Sequence, residues 1–231
     1  MDRSHNSLSI LHITLSIGET SAPYNEHCLP VAHERKIAIC TFFKAQITPP
    51  PEIMLFAGDN TFLGFFRALK RALAQQSYDV IHVHAPHVGV LFLLATLFKP
   101  RSAMPATVYT LHSTYPVYEL RHKLMFVPIF AMFQKVVGCS EASAASFPAF
   151  FKWLAGDRLC AVPNGLDITR VDRITAKGQR QALPKQGFTT IAIGRLVEIK
   201  NPFTIVAAFG QSAEQGSRLL YVGDGHLRAA L

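Results

Sequence analysis

Hydrophobic and polar residues alternate in blocks along the chain, and the blocks predict strands separated by helices. Strands are predicted where short apolar runs end at turn residues, at 8–17, 36–43, 52–57, 80–85, 107–111, 136–139, 159–162, 190–193 and 218–222. Helices are predicted at 25–33, 61–76, 88–98, 119–133, 142–154 and 202–213. Strands that alternate with helices over this length indicate an α/β fold, with a parallel sheet covered on both faces.

The segment 61–76 shows the clearest helical periodicity. Its large apolar residues fall on one helical face: Phe62, Phe65, Phe66, Leu69 and Leu73. A basic amphipathic helix of this kind suits a membrane surface, but covering one side of a sheet is the commoner use. The longest apolar runs, 88–98 and 124–133, are well short of the ~20 residues that cross a bilayer. We interpret them as buried helices and leave peripheral membrane contact open.

The composition is that of a globular protein with an anionic partner. Of 231 residues, 49% are apolar and 16% charged, and the formal net charge is +8. Such a charge suits a nucleotide, a nucleic acid or an anionic membrane, and does not choose among them. The four cysteines form no C-x-x-C pair, and the N-terminus does not resemble a signal peptide. We therefore expect reduced cysteines in a cytoplasmic protein.

The stretch 191–202 combines a strand end, a cationic loop and a helix start. Its apolar run stops at Gly194, and Arg195 and Lys200 follow five residues apart. Asn201 is a favoured N-cap residue and Pro202 a favoured first helical residue. A helix N-terminus attracts anions through its free N–H groups and its dipole. The stretch therefore predicts a phosphate or diphosphate site, although a solvated turn with two ordinary cations fits the spacing equally well.

Ligands of parallel sheets bind beyond the carboxyl ends of the strands, so the residues after each predicted strand are the candidate site. They are 18–21, 59–60, 84–87, 112–115, 140–141, 164–167, 195–200 and 223–225. This set is rich in histidine, glycine and cations, and it has few carboxylates. It suits binding and polarising an anion better than hydrolysis by paired carboxyl groups.

Five motifs together resemble the family-four glycosyltransferases of GT-B fold, and they occur in that family's order. They are Y-D-V-I-H-V-H at 78–84, T-L-H at 110–112, V-P-N-G-L-D at 162–167, G-R-L with K-N-P between 194 and 202, and L-Y-V-G-D-G at 220–225. Each motif is weak alone, but the five in order cover most of the chain. The resemblance therefore specifies an architecture and a reaction.

The implied architecture is a complete N-terminal Rossmann-like domain followed by the first strand–helix–strand of a second one. Residues 1–169 would form the acceptor-side domain, 170–187 the linker, and 188–231 part of the nucleotide-sugar-binding domain. The implied reaction moves a sugar from a nucleotide-diphosphate sugar to a glycan or lipid-linked acceptor, with retention, as in polysaccharide biosynthesis. No cofactor, essential metal or nucleic acid is implied. The protein would be cytoplasmic or peripheral at the inner face of the membrane.

The resemblance assigns catalytic roles to three residues. Arg195 and Lys200 match the pair that holds the donor diphosphate, where they would neutralise charge on the leaving group. His112 matches the histidine that approaches the transferring sugar, although an ordinary half-buried histidine fits the position as well. These three residues form the expected reaction centre.

Further positions match the family's substrate-binding loops. Gly18 and Glu19 stand where the family has a glycine-rich loop, but this chain offers one glycine instead of two, which weakens the case for backbone contact at Glu19. Gly223 and Gly225 match a loop that lies close to the nucleotide, where a missing side chain allows backbone approach. Asn164, in the run before the linker, is the remaining substrate-binding candidate.

The histidines at 82, 84 and 87 raise the alternative of a metal site. His82 and His84 would share one face of a strand, while Pro86 separates them from His87. No carboxylate or cysteine lies nearby in the sequence, so we predict no metal. The tyrosines and phenylalanines are interpreted as core or acceptor-cleft walls rather than a nucleic-acid surface.

The sequence stops before the pair of glutamates that the family carries beyond its G-D-G loop. We therefore expect a C-terminally truncated form, whose own activity is left open. One alternative is a non-catalytic binding remnant that lacks the donor-site glutamates. The other is a nucleotide-sugar epimerase, which shares the two-domain architecture.

Overall fold

The computed structural model describes residues 8–177 and 188–231, and the chain divides into two compact units, Met1–Thr169 and Arg170–Leu231. The strands are β1 (Ser9–Thr14), β2 (Lys36–Thr41), β3 (Ile53–Phe56), β4 (Val80–Val83), β5 (Ala106–Leu111), β6 (Lys135–Gly138), β7 (Leu159–Ala161), β8 (Thr189–Ile193) and β9 (Arg218–Val222). The α-helices are α1 (Phe62–Gln75), α2 (Pro86–Ala95), α3 (Leu120–Met132), α4 (Glu141–Ala145), α5 (Ala149–Ala155), α6 (Ile168–Lys177) and α7 (Pro202–Ser212).

The first unit is built on a seven-stranded parallel sheet. Its strand order is β3-β2-β1-β4-β5-β6-β7, and every neighbouring pair is parallel. The order reverses between β1 and β4, which makes this pair the topological switch point where doubly wound sheets open a crevice. The predicted α/β fold of Rossmann type is confirmed.

Alternate residues of the central strands enter two different cores. Leu11 and Ile13 of β1 belong to the larger core, which also contains buried phenylalanines of α1, α2, α3 and α5. Ile10, on the opposite face of β1, packs against a smaller core around Tyr24 and Cys28. These two residues lie on a π-helical turn, Pro23–Cys28. His12, which lies between Leu11 and Ile13, and its register partner His82 on β4 therefore face this turn.

Two predicted helices differ from the structure. The segment 25–33 is a π-helical turn, Pro23–Cys28, followed by a 3-10 turn, Leu29–Val31, instead of one short α-helix. The predicted helix 142–154 is two helices, α4 and α5, with Pro148 as the N-cap of the second. A proline lacks the N–H that a helix interior needs and disfavours a helical residue before it, so the break falls there.

Helix α1 has the predicted amphipathic character. Gly64, Phe65, Ala68, Leu69 and Ala72 are buried. Its N-cap is Thr61, whose hydroxyl accepts a hydrogen bond from the Gly64 N–H at 2.9 Å. Phe62 departs from the expected buried face because it lies in the exposed first turn, and 64% of its surface is accessible.

The segment predicted as a linker begins as a helix. Helix α6 covers Ile168–Lys177, and the remainder of the predicted linker, 178–187, lies outside the described residues. The second unit contains one parallel pair, β8 and β9, joined through α7. Among residues 188–231 only Leu196 and Pro202 are buried. In the described parts of the chain no helix is both long and apolar enough to cross a bilayer.

Candidate functional site

Four histidines meet at the switch point of the first unit. His12 on β1 and His82 on β4 are register partners, and His84 follows two residues later on the same face. The rings of His82 and His84 are 4.1 Å apart between centroids. His27, on the π-helical turn, lies over them, with its centroid 5.3 Å from that of His84. The cluster therefore occupies the face that the smaller core also uses, at the carboxyl edge of the sheet.

A chain of hydrogen bonds joins three histidines. His12 Nδ1 lies 2.9 Å from His84 Nε2, and His84 Nδ1 lies 3.2 Å from His112 Nε2. His12 and His84 are 2% and 6% exposed, whereas His112 is half-buried, directly after β5. The predicted site residue His112 is thus the outer end of a buried polar chain. His82 instead hydrogen-bonds the Thr110 hydroxyl at 2.7 Å.

The environment keeps these imidazoles neutral. Burial lowers the pKa of His12 to about 3 and that of His112 to about 4, and the neighbouring His27 adds to both effects. Burial likewise lowers the pKa of His84 and His82 well below the usual range, and neighbouring histidines reinforce this. At neutral pH the cluster therefore offers uncharged rings, each with one N–H and one acceptor nitrogen.

Neutral imidazoles are also metal ligands, and His12, His82 and His84 offer ring nitrogens within 4.8 Å of one another in the described chain. With Zn–N distances of about 2.0 Å, two ligands of a tetrahedral zinc ion stand about 3.3 Å apart. The 2.9 Å between His12 and His84 is shorter than this and is a typical N–H···N hydrogen bond. As expected, His87 lies apart from the cluster, against His122 at 4.8 Å between centroids.

The loop that carries His112 is held from two sides. The Ser113 N–H donates to the Tyr118 hydroxyl at 3.1 Å, and the Ser113 carbonyl accepts from the Ser143 hydroxyl at 2.9 Å. Ser143 lies in α4, whose N-cap Ser140 accepts a bond from the Ser143 N–H at 3.0 Å. Tyr118 therefore has a more specific role than the predicted core or cleft wall, since it fixes the residue after His112.

Three other predicted positions follow two strands of the same sheet, β1 and β7. Gly18 is buried after β1, where a Cβ would overlap the side-chain oxygen of Gln46. Glu19 is exposed, and its carbonyl accepts from the Asn25 side chain at 2.8 Å. Asn164 is exposed after β7, two strands beyond the β5 end that carries His112. The structure therefore places Gly18 beside the switch point and Asn164 further along the edge.

Both predicted cations lie on the connection between β8 and α7 in the second unit. Arg195 and Lys200 are both exposed, and within the described residues neither side chain makes an ion pair or hydrogen bond. Their loop is fastened to the G-D-G loop, because the Leu196 N–H donates to the Asp224 carbonyl at 2.9 Å. Asp224 also shapes its own turn by accepting from the Gly225 N–H at 2.8 Å. Two exposed cations are thus held on a defined loop, with no ion-pair partner among the described residues.

The glycines of the G-D-G loop have a structural reason in this contact. A Cβ on Gly223 would overlap the carbonyl oxygen of Gly194, and Gly223 has φ of 152°. A Cβ on Gly225 would overlap the carbonyl oxygen of Leu196. Both glycines therefore allow the two loops to approach backbone to backbone, in addition to the predicted role beside a nucleotide.

The start of α7 differs from the predicted cap. Asn201 occupies the N-cap position with φ of 47° and ψ of 54°, a left-handed conformation that asparagine tolerates better than most residues. Its side chain makes no capping bond, and the same residue also ends a 3-10 turn over Glu198–Lys200. The first-turn N–H groups of α7 therefore keep their hydrogen-bonding capacity for another acceptor.

The family model for glycosyltransferase family 4 matches residues 30–170, more than half of the chain. The chain belongs to glycosyltransferase family 4. The match covers β2 to β7 with His82, His84, His112 and Asn164; it begins after His12 and His27 and stops before Arg195. A search of curated protein sequences found no match to this family 4 chain.

Solved structures share the fold of this family 4 chain at low sequence identity. HepE of Anabaena in complex with UDP-glucose is 16% identical, with a TM-score of 0.63 over 93% of this chain and 60% of that one. The catalytic domain of starch synthase IV of Arabidopsis thaliana, bound to ADP and acarbose, is 12% identical (TM-score 0.61, 94% and 68% covered). UDP-N-acetylglucosamine 2-epimerase of Rickettsia bellii is 13% identical (TM-score 0.52, 97% and 63% covered). The chain spans about 60% of the length of the HepE chain.

Sequence reasoning missed two members of the histidine cluster of this family 4 chain. His12 lies inside an apolar run, and His27 lies on a turn whose π-helical form was not predicted. A signal for His12 did exist, because a lone polar residue at a buried strand position needs a polar partner. Its partner could be named only once β1 and β4 were known to be neighbours.

Proposed function

We propose that this chain forms the acceptor-side domain and the beginning of the donor-binding domain of a nucleotide-sugar-dependent glycosyltransferase. The reaction moves a sugar from a nucleotide-diphosphate sugar to a glycan or lipid-linked acceptor, with retention. The observation that carries the proposal is the pair of exposed, uncompensated cations, Arg195 and Lys200, beside the uncapped start of α7. Membership of family 4 supports it, as do HepE with UDP-glucose and starch synthase IV with ADP.

The chemistry of the second-unit loop is electrostatic. As the bond between sugar and diphosphate breaks, negative charge accumulates on the leaving diphosphate. Arg195 can donate two parallel hydrogen bonds to phosphate oxygens, and Lys200 adds a compact positive charge. The free N–H groups of α7 add a third source of positive potential. Because these groups are fixed before the reaction, they stabilise the charge without reorganising.

His112 serves the sugar rather than the phosphate in this proposal. Its pKa of about 4 keeps the ring neutral at physiological pH, so it acts as a hydrogen-bonding group and not as a cation. A half-buried neutral N–H at the carboxyl edge of a sheet suits a hydroxyl group of a bound sugar. Gly18, Glu19, Asn164, Gly223 and Gly225 are proposed as further substrate contacts.

The proposed division of labour follows the two units. Residues 1–169 hold the acceptor, 170–187 act as the linker, and 188–231 hold the nucleotide diphosphate, with no cofactor beyond the donor. The proposed location is the cytoplasm, with peripheral contact at the inner face of the membrane where the acceptor is lipid-linked. Helix α1 presents Arg67, Lys70 and Arg71 outward, which suits peripheral contact with anionic lipid.

The test is donor binding by calorimetry. The chain is titrated with UDP-glucose, UDP-N-acetylglucosamine, ADP-glucose and GDP-mannose, and then with the nucleotide diphosphate of whichever donor binds. The double variant Arg195→Ala/Lys200→Ala is compared with Arg218→Ala, an exposed cation of the same unit. We expect at least tenfold weaker binding in the double variant and unchanged binding in the control.

The outcomes separate the alternatives. An equal loss of donor affinity in Arg218→Ala would show that binding depends on general surface charge and not on a specific site. If no donor binds, the proposal is refuted for this chain. Binding without transfer to added acceptors is the result expected of a binding remnant. Epimerisation of the bound sugar without transfer would favour the epimerase alternative.

A further inference from the structure

We propose that His84, supported by His12, is a positioning residue that fixes the tautomer of His112. This inference rests on the proposed function, in which His112 faces the transferring sugar. It concerns the side of the His112 ring that faces the protein. Nothing in the family motifs assigns a role to His12, and His84 enters them only as a sequence letter.

The geometry makes His84 the middle of a three-ring chain. Both of its ring nitrogens are used, Nε2 with His12 Nδ1 at 2.9 Å and Nδ1 with His112 Nε2 at 3.2 Å. His84 and His12 are almost fully buried, and the rings of His12 and His84 are stacked at 14° between planes. Water therefore has little access to replace either bond.

A chain of neutral imidazoles has only two possible directions. His84 carries one ring proton, so it must donate through one nitrogen and accept through the other. In the first direction His12 donates to His84, and His84 donates to His112 Nε2. In the second direction His112 donates inward, and His12 must carry its proton on Nε2.

The inner end of the chain selects between these directions. His12 Nε2 is buried and has no hydrogen-bond partner among the described residues. The second direction would bury an unpaired N–H there, and orphaned buried N–H groups are rarer than unpaired acceptors. The first direction leaves only an unpaired lone pair. The ring proton of His112 is then on Nδ1, which has no hydrogen-bond partner in the described chain.

The surroundings keep this arrangement neutral. The titratable groups that face the chain are His82 from β4 and His27 from the π-helical turn, and the rings of both lie close to that of His84. Glu26, next to His27, acts only to raise the pKa of His27, against the larger effect of burial. With no carboxylate among the described residues at its inner end, the three-histidine chain orients His112 as a hydrogen-bond donor without making it a stronger base.

Matched variants at position 84 test the role of its Nδ1–H. His84→Leu removes the donor to His112, whereas His84→Asn keeps an amide N–H near the position of Nδ1. His82→Asn is the control, because His82 is a clustered histidine of the same strand that bonds Thr110 outside the chain. Long-range 1H–15N NMR spectra of the imidazole nitrogens at pH 7 report the tautomer of each ring without any substrate.

We expect His112 in the Nδ1–H form in the wild type, in His84→Asn and in His82→Asn, and a shift toward the Nε2–H form in His84→Leu. A His112 ring that is Nε2–H in the wild type, or unaffected by His84→Leu, would overturn the proposal. If His84→Leu does not fold, a wild-type scalar coupling between His84 Nδ1 and His112 Nε2 decides, and its absence would count against the chain. A His112 tautomer signal that disappears after dialysis against EDTA and returns when zinc is added would indicate a metal site. That result would also overturn the proposal.

Turnover provides the second readout. With a donor and acceptor in hand, His84→Leu should lower kcat by no more than the roughly two- to tenfold expected from losing the His112 hydrogen bond itself, with little change in KM for the donor, and His84→Asn should restore most of it. If the NMR result is as expected and no donor is turned over, the proposed function fails while the histidine chain stands. If turnover is normal in His84→Leu, the three hydrogen-bonded histidines have no role in positioning His112 for the reaction.

Discussion

The two units of the chain are made of similar strands but bury them very differently. Ile13 and Val83 in the first unit are fully buried, whereas Ile193 and Val222 in the second are 81% and 54% exposed. All four are β-branched residues near the ends of parallel strands. The sheet of the first unit has seven strands and two cores, and that of the second has two strands. Strand formation thus follows local sequence, whereas burial depends on how many layers surround the strand.

The difference extends to the chemistry of the two sites. The first unit carries neutral histidines in a buried cluster, where burial controls ionisation. The second unit carries Arg195 and Lys200 in the open, where both side chains are accessible to an anion. Perturbation of the first site should therefore appear in stability and tautomer state, and perturbation of the second in ligand binding and rate.

The largest expected contrast is in packing. Ile13→Ala should lower the free energy of unfolding by about 2–5 kcal/mol, because it leaves a cavity in the main core. Ile193→Ala should change it by less than about 0.5 kcal/mol, because most of that side chain is already in water. Urea unfolding followed by circular dichroism measures both. An equally large loss in Ile193→Ala would show that this strand is covered in solution, and the contrast between the units would disappear.

The next contrast is in rate. Arg195→Ala and Lys200→Ala should each lower turnover roughly tenfold to a thousandfold, the range for removing one preorganised donor from developing negative charge. Steady-state kinetics with the donor identified by calorimetry measure the loss, with Arg218→Ala as the matched control. Wild-type rates in both variants would show that the loop is an ordinary solvated turn with no catalytic role.

A smaller effect is expected from acid. Burial lowers the pKa of His12 to about 3 in the folded protein. In the unfolded protein the same side chain takes up a proton near pH 6.5, its ordinary pKa. Stability therefore falls as pH drops from 6.5 toward 3, and His12 alone contributes a loss of about 2 kcal/mol between pH 7 and pH 5.

His12→Asn should remove that part of the acid sensitivity, while His33→Asn, at an exposed histidine, should leave it unchanged. Urea unfolding at pH 7 and pH 5 measures the difference. The same pH dependence in His12→Asn and wild type would mean that His12 is not held in the neutral form.

The strands and helices of the first unit could be predicted from sequence because each depends on neighbours a few residues away. The boundaries of β2, β3, β5 and α1 lie within two residues of the predicted ones. Pro148 was visible, and its local rule predicts the break between α4 and α5. The π-helical turn was not predictable in this way, since such turns have no periodic signal of their own.

The histidine chain could not be predicted, because it depends on which strands are neighbours. His12 and His84 are 72 residues apart, and His84 and His112 are 28 apart. Only the reversal of strand order between β1 and β4 brings the first pair together. The cationic loop could be proposed from sequence, since Arg195 and Lys200 both lie in the connection between β8 and α7 and need no knowledge of strand order. Even there, the left-handed Asn201 was missed because its N-cap preference predicted a different conformation.

The smallest expected effect distinguishes how His112 contributes. If the ring acts as an uncharged Nδ1–H donor to a sugar hydroxyl, His112→Ala loses one neutral hydrogen bond, a net of about 0.5–1.5 kcal/mol. Turnover should then fall about two- to tenfold, with less effect on donor affinity. His112→Asn, whose amide N–H stands near Nδ1, should recover part of the loss. A loss of about a hundredfold or more in both variants would instead indicate proton transfer by the imidazole. Such a loss would also mean that the buried chain tunes basicity, and the contrast between a neutral first site and a charged second site would no longer hold.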